Sequence, residues 1–480
     1  MALSEDDAKQ VVVDMLKVRD EEAERLNRVH SYLTGKACNV YVPKKATREY
    51  RKLVDISRTN IMPLVVSSFA SNLFVEGYRP ARASDNAKAW EIWQANRMDA
   101  RQSGIYRAAL GYGLAYATVL SGKQNGEKMA KIKPFSPRAM TAVYEDAVAD
   151  EWPVYAVSCE PGYIIEEGRP VPVSRTVLYD SGGLYRFVAK GNDSPQFQRY
   201  DEHGLGVTPV VRWLNEYGDT EDGTLGEVEP LIPDQDQLNN TTFGLLMAQQ
   251  YAAFKQRWVT GMTIEEDPEG NTREPFNPRV DGMLQSESPD TKFGEFQETN
   301  LAGYLDSRQS TLRIASAKAQ LAAHAMLVSD GVTNLSAEAL AALEAPFQRK
   351  IAEKKTSFGE SNEQMLRLAA KANGDTAGWE DTSAQVVWRD TESRSLAQVA
   401  DALGKMAQML AIPPRALWER IPGVTDMDLK RWEKLADAED EKQAEAAAEA
   451  GMTVDDQQLT QQEPTRGKPG RRPAVSGAPA

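Results

Sequence analysis

The stretch from Leu231 to Lys255, LIPDQDQLNNTTFGLLMAQQYAAFK, decides the fold. Pro233, Asp234 and Asp236 are typical of a helical first turn, where proline lacks an unsatisfied donor and carboxylates favour the helix dipole. The 18 residues from Gln237 to Phe254 carry no charge, but they contain too many Asn, Thr and Gln side chains for a membrane span. The pattern predicts a polar helix of about 27 Å between neighbouring helices. Those neighbours can belong to the same domain or to another subunit.

The segments that follow predict a protrusion and a second long helix. Residues 257–299 are rich in Pro, Gly and charge, which indicates a loop or small β excursion. A helix returns at about Asn300, and the chain breaks again at LVSDGVTNLS, residues 327–336. A helix of about 54 Å is then predicted to about Ala372, kinked at Pro346 because proline removes a backbone hydrogen bond. Its apolar face comprises Leu340, Leu343, Phe347, Ile351, Phe358, Met365 and Ala369.

The first 230 residues predict an α+β domain. A helix is expected from Ser4 to about Leu33, with Ser4 and Asp7 forming a capping box, and further helices near 60–75, 84–97 and 101–113. Trp90 and Trp93 share one helical face and are expected in the core. Between 114 and 213, short β-prone runs separated by Gly, Pro, Asp and Asn predict an antiparallel sheet. The run 383–390 is expected to pair with that sheet, while 394–411 and the residues from Thr425 are expected to be helical.

Composition limits the functional classes. Hydrophobic residues make up 41% of the 480 residues and charged residues 26%, which excludes wholesale disorder. The chain shows neither a membrane span nor a signal peptide, so a cytosolic protein at synthesis is expected. The net charge of −14 argues against a broad basic face that grips DNA, although such a protein can still surround DNA. Cys38 and Cys159 are expected to be reduced, partly buried thiols.

Sequence motifs for catalysis are missing from the chain. It contains no P-loop, GxSxG, HExxH, EF-hand or GxGxxG motif, and its three histidines (His30, His203 and His324) have no ligand-spaced partner. Asp234 with Asp236, or Glu227 with Glu229, are candidate metal pairs for a nuclease. The position of Asp234 and Asp236 at a helix start explains the first pair without a metal. We therefore predict no catalytic residues, no metal and no cofactor.

Three stretches carry a resemblance to a known family. They are GEVEPLIPDQDQLNNTTFGLLMAQQYAAFKQRWVTG (226–261), NLSAEALAALEAPFQRKIAEKKTSFGESNEQMLRLA (334–369) and LAIPPRALWERIPG (410–423). With the order of elements, they make residues 5–450 similar to the portal proteins of long-tailed phages, especially phages of actinobacterial hosts. The resemblance implies an α+β portal-type fold with a mainly helical wing, stem and crown, a small antiparallel β region, and assembly as a ring, with twelve copies the family expectation.

The resemblance also implies a domain plan. The wing would be 1–230 with a strand in 372–390, the stem helices 231–257 and 299–325, the clip 258–298, the tunnel loop 326–335, the long helix 336–371 and the crown 391–450. The tail 451–480 is predicted to be disordered from its composition. The implied tunnel loop residues are Leu327, Val328, Ser329, Asp330, Gly331, Val332, Thr333 and Asn334. The implied stem interface is Asn239, Asn240, Thr241, Thr242, Gln249 and Gln250, and the implied clip residues are Arg273, Arg279 and Asp281.

A portal of this kind would act at one capsid vertex of the virion, after assembly in the host cytoplasm. It would bind further copies of itself, the major capsid protein, a head-completion protein and the terminase, with double-stranded DNA passing through its channel and no membrane contact. Two alternatives remain at this point: a metal-dependent phage nuclease or packaging enzyme, and another ring-forming connector or head protein.

Overall fold

The structure, a computed structural model, describes residues 3–37, 39–81, 87–124, 126–191, 193–217, 225–252, 257–261, 289–295, 300–321, 337–389, 396–421, 424 and 426–449. The chain divides into two compact units, Met1–Arg389 and Asp390–Ala480. The helices of the first unit are α1 (Glu5–Leu33), α2 (Arg48–Ile56), α3 (Met62–Ala70), α4 (Ala87–Ala95), α5 (Met98–Tyr112), α6 (Ile232–Ala252), α7 (Ala302–Ala319), α8 (Ala337–Asn373) and α9 (Thr376–Trp379).

Its strands are β1 (Val75–Arg79), β2 (Leu114–Leu120), β3 (Lys123–Gln124), β4 (Glu127–Lys128), β5 (Lys131–Phe135), β6 (Met140–Val143), β7 (Tyr155–Glu166), β8 (Arg169–Tyr179), β9 (Gly183–Lys190), β10 (Gln196–Glu202), β11 (Val210–Leu214), β12 (Arg257–Thr260), β13 (Lys292–Glu295) and β14 (Gln385–Trp388). The second unit contains α10 (Leu396–Leu410), α11 (Pro414–Leu417) and α12 (Asp426–Glu449). None of the described helices is both long enough and apolar enough to cross a membrane.

The N-terminal helix begins where its capping pattern predicts. The Ser4 hydroxyl accepts a hydrogen bond from the Asp7 backbone N–H and donates one to the Asp7 carboxylate. In a capping box, the acidic side chain accepts a hydrogen bond from the backbone N–H of the N-cap residue. Here the Asp7 carboxylate accepts from the Ser4 hydroxyl instead. Along α1, the early residues Ala8 and Val12 pack with the sheet and the later residues pack into the main core. The helix therefore connects both cores.

The predicted antiparallel β region is confirmed as two larger sheets and the short two-stranded β3–β4 pair. One has five strands in the order β10-β9-β8-β7-β6, and the other has three in the order β11-β2-β5. The strands β7 and β8 form a long hairpin from Ala156–Tyr179 to Glu166–Arg169. Glu167 and Gly168 turn the chain with φ of 49° and 76°, which suits the two positive-φ positions of a type I′ turn.

The segment 60–75 was predicted as one helix, and this is wrong beyond Ala70. The helix α3 ends there, and β1 follows and pairs antiparallel with β14. The Gln102 side chain accepts a hydrogen bond from the Val75 N–H at 2.8 Å and donates to its carbonyl at 3.2 Å. Local spacing could not reveal the strand, because its pairing partner lies some 300 residues away. The run 383–390 was expected to pair with the 114–213 strands, and this is wrong. It contains β14, which pairs with β1.

The long helix α8 organises the core of the first unit. Phe358 is fully buried and stacks on Tyr106 at a ring distance of 5.3 Å, and Phe347 contacts Phe69 at the same distance. Ile351, Met365 and Ala369 are also buried, as predicted, but Leu343 is 47% exposed and was wrongly included in the apolar face. The side chain of Leu340 lies outside the described part of the structure. The backbone continues as helix through Pro346.

Serine side chains of α8 also satisfy the free edge of β11. Ser357 donates to the Leu214 carbonyl at 2.7 Å and Ser361 to the Arg212 carbonyl at 2.8 Å. An edge strand otherwise leaves a row of unpaired backbone groups. The helix therefore covers this edge with hydrogen bonds as well as apolar contacts.

The second unit is helical, as predicted. Arg415 forms ion pairs with Asp437 at 2.9 Å and with Asp440, which tie α11 to α12. Trp418 and Trp432 meet edge to face at 6.0 Å. Thr425, where this last helix was expected to begin, and the tail from Gly451 lie outside the described residues.

Candidate functional site: a two-helix arm and the polar network at its base

The helices α6 and α7 form an antiparallel arm. At its base, Lys318 of α7 forms an ion pair with Asp234 of α6 at 2.8 Å. Farther along, Gly244 lies so close to Tyr304 that a Cβ there would stand 2.9 Å from the ring. Glycine thus permits the close approach of the two helices.

A two-stranded ribbon follows α6 and precedes α7 in the chain. The strands β12 and β13 pair antiparallel, from Arg257–Glu295 to Thr260–Lys292. The Trp258 indole covers Gly294, where a Cβ would lie 2.2 Å from the ring. The predicted β excursion is confirmed for these strands. Arg273, Arg279 and Asp281, the sequence-predicted clip residues, lie outside the described residues, as does the whole predicted tunnel loop.

The polar residues of α6 divide between the interior and the surface. Asn239 is 2% exposed, and its side-chain oxygen accepts hydrogen bonds from the Thr59 N–H and the Gln235 amide, each at 3.0 Å. Gln235 also accepts from the Ile61 N–H at 2.9 Å. These contacts hold the base of the arm against the start of α3. Asn239 is therefore used inside its own chain.

The other five predicted stem residues remain closer to the surface. Asn240, Gln249 and Gln250 are exposed, while Thr241 and Thr242 are half-buried. Asn240 donates a hydrogen bond to the Asp236 carbonyl at 2.9 Å. The Thr242 hydroxyl is buried and has no hydrogen-bond partner within the described part of the chain. The outer part of α6 therefore presents uncharged polar groups to whatever surrounds it.

Glu227 lies at the centre of a buried charge network beside the arm. Its carboxylate contacts the Lys350 ammonium at 2.5 Å and the Lys354 ammonium at 3.2 Å. Lys354 is fully buried and also donates to the Asn215 carbonyl at 2.8 Å. Burial raises the pKa of Glu227, but the two lysines outweigh it and hold the pKa below the ordinary value. The carboxylate is thus kept ionised by its own chain.

The remaining candidate metal ligands are engaged in the same way. Glu229 forms an ion pair with Arg25 at 2.7 Å. Asp236 accepts hydrogen bonds from the Tyr32 hydroxyl at 2.8 Å and from the Asn39 amide at 2.6 Å. Burial and the neighbouring Asp236 raise the pKa of Tyr32 to about 12. Across the described residues, no cluster of three or more His, Cys, Asp or Glu side chains could hold a metal ion.

The histidines and the described cysteine also contact ordinary polar groups. His30 lies 2.8 Å from the Tyr112 hydroxyl, and burial lowers its pKa. His203 lies 2.9 Å from the Asp180 carbonyl. Cys159 is a free, half-buried thiol 3.0 Å from the Ser174 hydroxyl. His324 and Cys38 lie outside the described residues.

Sequence reasoning missed the lysines of this network. Lys354 occupies the same face of α8 as Ile351 and Phe358, at the three- and four-residue spacing of an apolar stripe. A lysine at such a position is the signal that could have been used, because a charge on a buried face requires a partner. The partner, Glu227, is 127 positions earlier in the chain.

The chain matches the model of the family described as "Phage portal protein, SPP1 Gp6-like" over residues 15–447. It belongs to this family of phage portal proteins. The match extends from α1 to α12, so both the arm and the network at its base are part of the portal chain. It gives no support to the alternative of a nuclease.

Two curated relatives carry the same description. The portal protein of Mycobacterium phage D29 is 26% identical over 366 residues, covering 72% of this chain and 71% of its own. The portal protein of Mycobacterium phage L5 is 26% identical over 392 residues, covering 77% and 75%. The expected resemblance to actinobacteriophage portals is therefore confirmed. A solved structure titled "Virion of native gene transfer agent (GTA) particle" is 12% identical and covers 80% of this chain and 99% of its own, with a TM-score of 0.44.

Proposed function

We propose that copies of this portal chain form a closed ring at one capsid vertex, through which DNA enters during packaging and leaves during ejection. Family membership supports a portal role in the virion. The role assigned to the chain is structural, with no catalytic residue, metal or cofactor.

The main support for a ring is the exposure of apolar side chains on two sides of α7. Leu305 and Ile314 are each 48% exposed. Nine residues separate them, which at 3.6 residues per turn places them on opposite sides of the helix. The side between them, with the buried Thr311 and Ala315, faces α6. Two uncovered sides need two different neighbours, and a head-to-tail ring supplies both to every copy.

The uncharged outer part of α6 supports the same arrangement. Asn240, Gln249 and Gln250 offer hydrogen-bonding groups without a charge to desolvate, and charged groups are costly to bury between subunits. We accordingly retain Asn240, Thr241, Thr242, Gln249 and Gln250 as interface residues.

We further assign the domains by the family plan. In that plan α6 and α7 are the stem, β12 and β13 belong to the clip, and residues 326–335 form the tunnel loop. Residues 1–230 with the 372–390 strand form the wing. The boundary between the compact units, Arg389 to Asp390, supports a separate crown that begins at about 391.

The net charge suits passage of DNA. A chain with a net charge of −14 offers phosphates few sites for counterion release, so DNA would move along a ring of such chains without tight binding. The proposed partners are the major capsid protein at the vertex, and a head-completion protein and the terminase at the clip.

The ring is tested by native mass spectrometry and electron microscopy of the purified chain. We expect a large ring, with twelve copies the family expectation, and dissociation by the double variant L305D/I314D. The matched control is Y163D/I165D, because Tyr163 and Ile165 are 65% and 72% exposed on the β7–β8 hairpin. The proposal would be refuted if the wild-type chain stays monomeric or dimeric at micromolar concentration and no larger form occurs in virions. A test for metal-dependent cleavage of DNA by the same sample addresses the nuclease alternative.

A further inference from the structure

The short helix α2 and the loop before it form a basic surface on an acidic chain. Residues 44–58 contain six basic and two acidic side chains, whereas the whole chain has a net charge of −14. Lys44, Lys45, Arg48, Arg51 and Lys52 are all exposed. Within the described ranges, none of these five has a carboxylate at ion-pair distance. We call these five residues the basic patch.

The geometry of α2 concentrates this charge on one side. Arg48, Arg51 and Lys52 are spaced by three and four residues and therefore share the outward face of the helix. Asp55, an acidic residue on that face, already forms an ion pair with Arg58 at 2.8 Å. The opposite face carries the half-buried Tyr50 and Leu53, and Val54 beside it is buried. The three outward charges therefore lie together on one side of the helix, without a carboxylate at ion-pair distance among the described residues.

The basic patch lies beside the base of the arm. Tyr50 of α2 packs edge to face on Phe243 of α6 at a ring distance of 5.1 Å and donates a hydrogen bond to the Tyr41 carbonyl at 2.8 Å. Asn239 binds the Thr59 N–H just after α2. The surface around the patch is partly apolar, since Tyr41 is 77% and Ile56 55% exposed. Through the contact of Tyr50 with Phe243, the patch adjoins α6, whose outer part the ring would use.

A second charged surface lies on α1, beside the start of α6. Asp20, Glu21 and Glu24 are exposed on α1. Glu21 and Glu24 line a groove of about 390 Å³ against the start of α6, together with Arg25, Arg28, Glu229 and Pro233. Arg25 is paired with Glu229 at 2.7 Å, so the excess of acidic groups in the groove comes from Glu21 and Glu24. In the described structure neither Glu21 nor Glu24 has a basic group at ion-pair distance. Asp20 lies 3.6 Å from the Arg19 guanidinium. We call Asp20, Glu21 and Glu24 the acidic face.

The distance along the arm allows the two surfaces to meet between copies. About ten residues of α6 separate the groove at Glu229–Pro233 from the patch contacts at Asn239–Phe243, or about 15 Å. Rotational symmetry brings surfaces at similar levels of neighbouring copies together. Acidic chains repel one another unless basic groups meet acidic groups where they touch.

We propose that the basic patch of one copy docks on the acidic face of α1 in the next copy, and that this contact sets the direction of assembly around the ring. The inference rests on the proposed ring. The two surfaces differ, so each copy uses both once and the contact repeats in one direction. Small exposed charge pairs contribute little singly, and the effect comes from several charges acting together and from repulsion of the reverse orientation.

The test compares two charge-reversed chains. R48E/R51E/K52E reverses the patch, and K123E/K128E/K131E makes the same change in charge at exposed lysines of β3, β4 and β5. Assembly is measured by sedimentation across protein concentrations in about 0.1 M salt, where exposed charges still interact over about 10 Å. We expect the patch variant to need at least about tenfold more protein for half-assembly, and the control variant to match the wild type. Circular dichroism checks folding, and the milder R51Q/K52Q should show a smaller shift in the same direction.

A compensating variant identifies the acceptor. Adding D20K/E21K/E24K to the patch-reversed chain should restore most of the assembly, because opposite charges again face each other. Restored assembly supports the proposal, and failure to restore it overturns the acceptor on α1. Patch reversal that leaves assembly unchanged while wild-type rings form overturns the inference alone. If assembly is unchanged but the ring binds a DNA duplex less tightly, the patch is a nucleic-acid surface and the inference is also overturned. If the wild-type chain forms no rings, the proposed function and the inference are both refuted.

Discussion

Replacing Glu227 with Gln removes one negative charge from a buried site and leaves two ammonium groups behind. The Glu227 side chain is 6% exposed, that of Lys350 13% and that of Lys354 0%. Gln has nearly the same shape and can still accept a hydrogen bond, so the variant isolates the loss of charge. Removing one partner of a buried ion pair costs about 3–5 kcal/mol, because the remaining charge loses its compensation. Here Lys350 loses the Glu227 carboxylate, while Lys354 keeps a contact with the exposed Glu216 at 3.2 Å. We expect E227Q to lose stability in this range.

The assay is urea unfolding followed by circular dichroism, on chains whose oligomeric state has been matched by sedimentation. The control is E160Q, because Glu160 also contacts a lysine, Lys133, at 2.5 Å, but with side chains 40% and 55% exposed. An exposed pair of this kind is worth about 0–1 kcal/mol. The reasoning is refuted if E227Q loses less than about 1 kcal/mol, or no more than E160Q.

Three further results are expected from the same network and core. Because the pKa of Glu227 is lowered in the folded chain, its contribution to stability is complete above its ordinary value of 4.5 and is lost as the pH falls through the lower folded value. The difference in unfolding free energy between wild type and E227Q should therefore shrink as the pH falls below 4.5, as unfolding at a series of pH values would show. F358A should lower the free energy of unfolding in urea by about 3–5 kcal/mol, since Phe358 is fully buried, and a loss near zero would contradict its place in the core. G244V should cost about 1–3 kcal/mol by pushing against Tyr304, whereas G303A, with open space around it, should be no less stable than the wild type in thermal melting.

Local sequence signals were sufficient where the structure depends on neighbours in the chain. The cap at Ser4, the antiparallel strands between 114 and 213, and the helix α8 all follow from spacing over a few residues. The order of these elements, with the wording of three stretches, led to the portal family that the match over 15–447 confirms. The second helix, α2, was missed because it is only nine residues long and is mostly polar and charged on its exposed side.

The buried network could not be read from such signals. Asp234 and Asp236 fit a helix start, yet in the structure they contact Lys318 and Tyr32, 84 and 204 positions away. A helix-start pattern explains why a carboxylate is tolerated there, and only the fold decides which cation or hydroxyl meets it. The same holds for Glu227, whose neighbours in sequence give no indication of Lys350 or Lys354.

By itself, the sequence determined the class of the fold, the positions of most helices and strands, and the family, because apolar periodicity, caps and turn residues act over short distances. Only the tertiary structure decided that residues 75–79 form a strand, that Lys354 is a buried cation, and that Asn239 serves its own chain while Asn240 remains exposed. Each of these outcomes depends on a partner far along the chain. A strand needs another strand for its backbone groups, and a buried charge needs an opposite charge, so neither can be assigned until folding has brought the partners together.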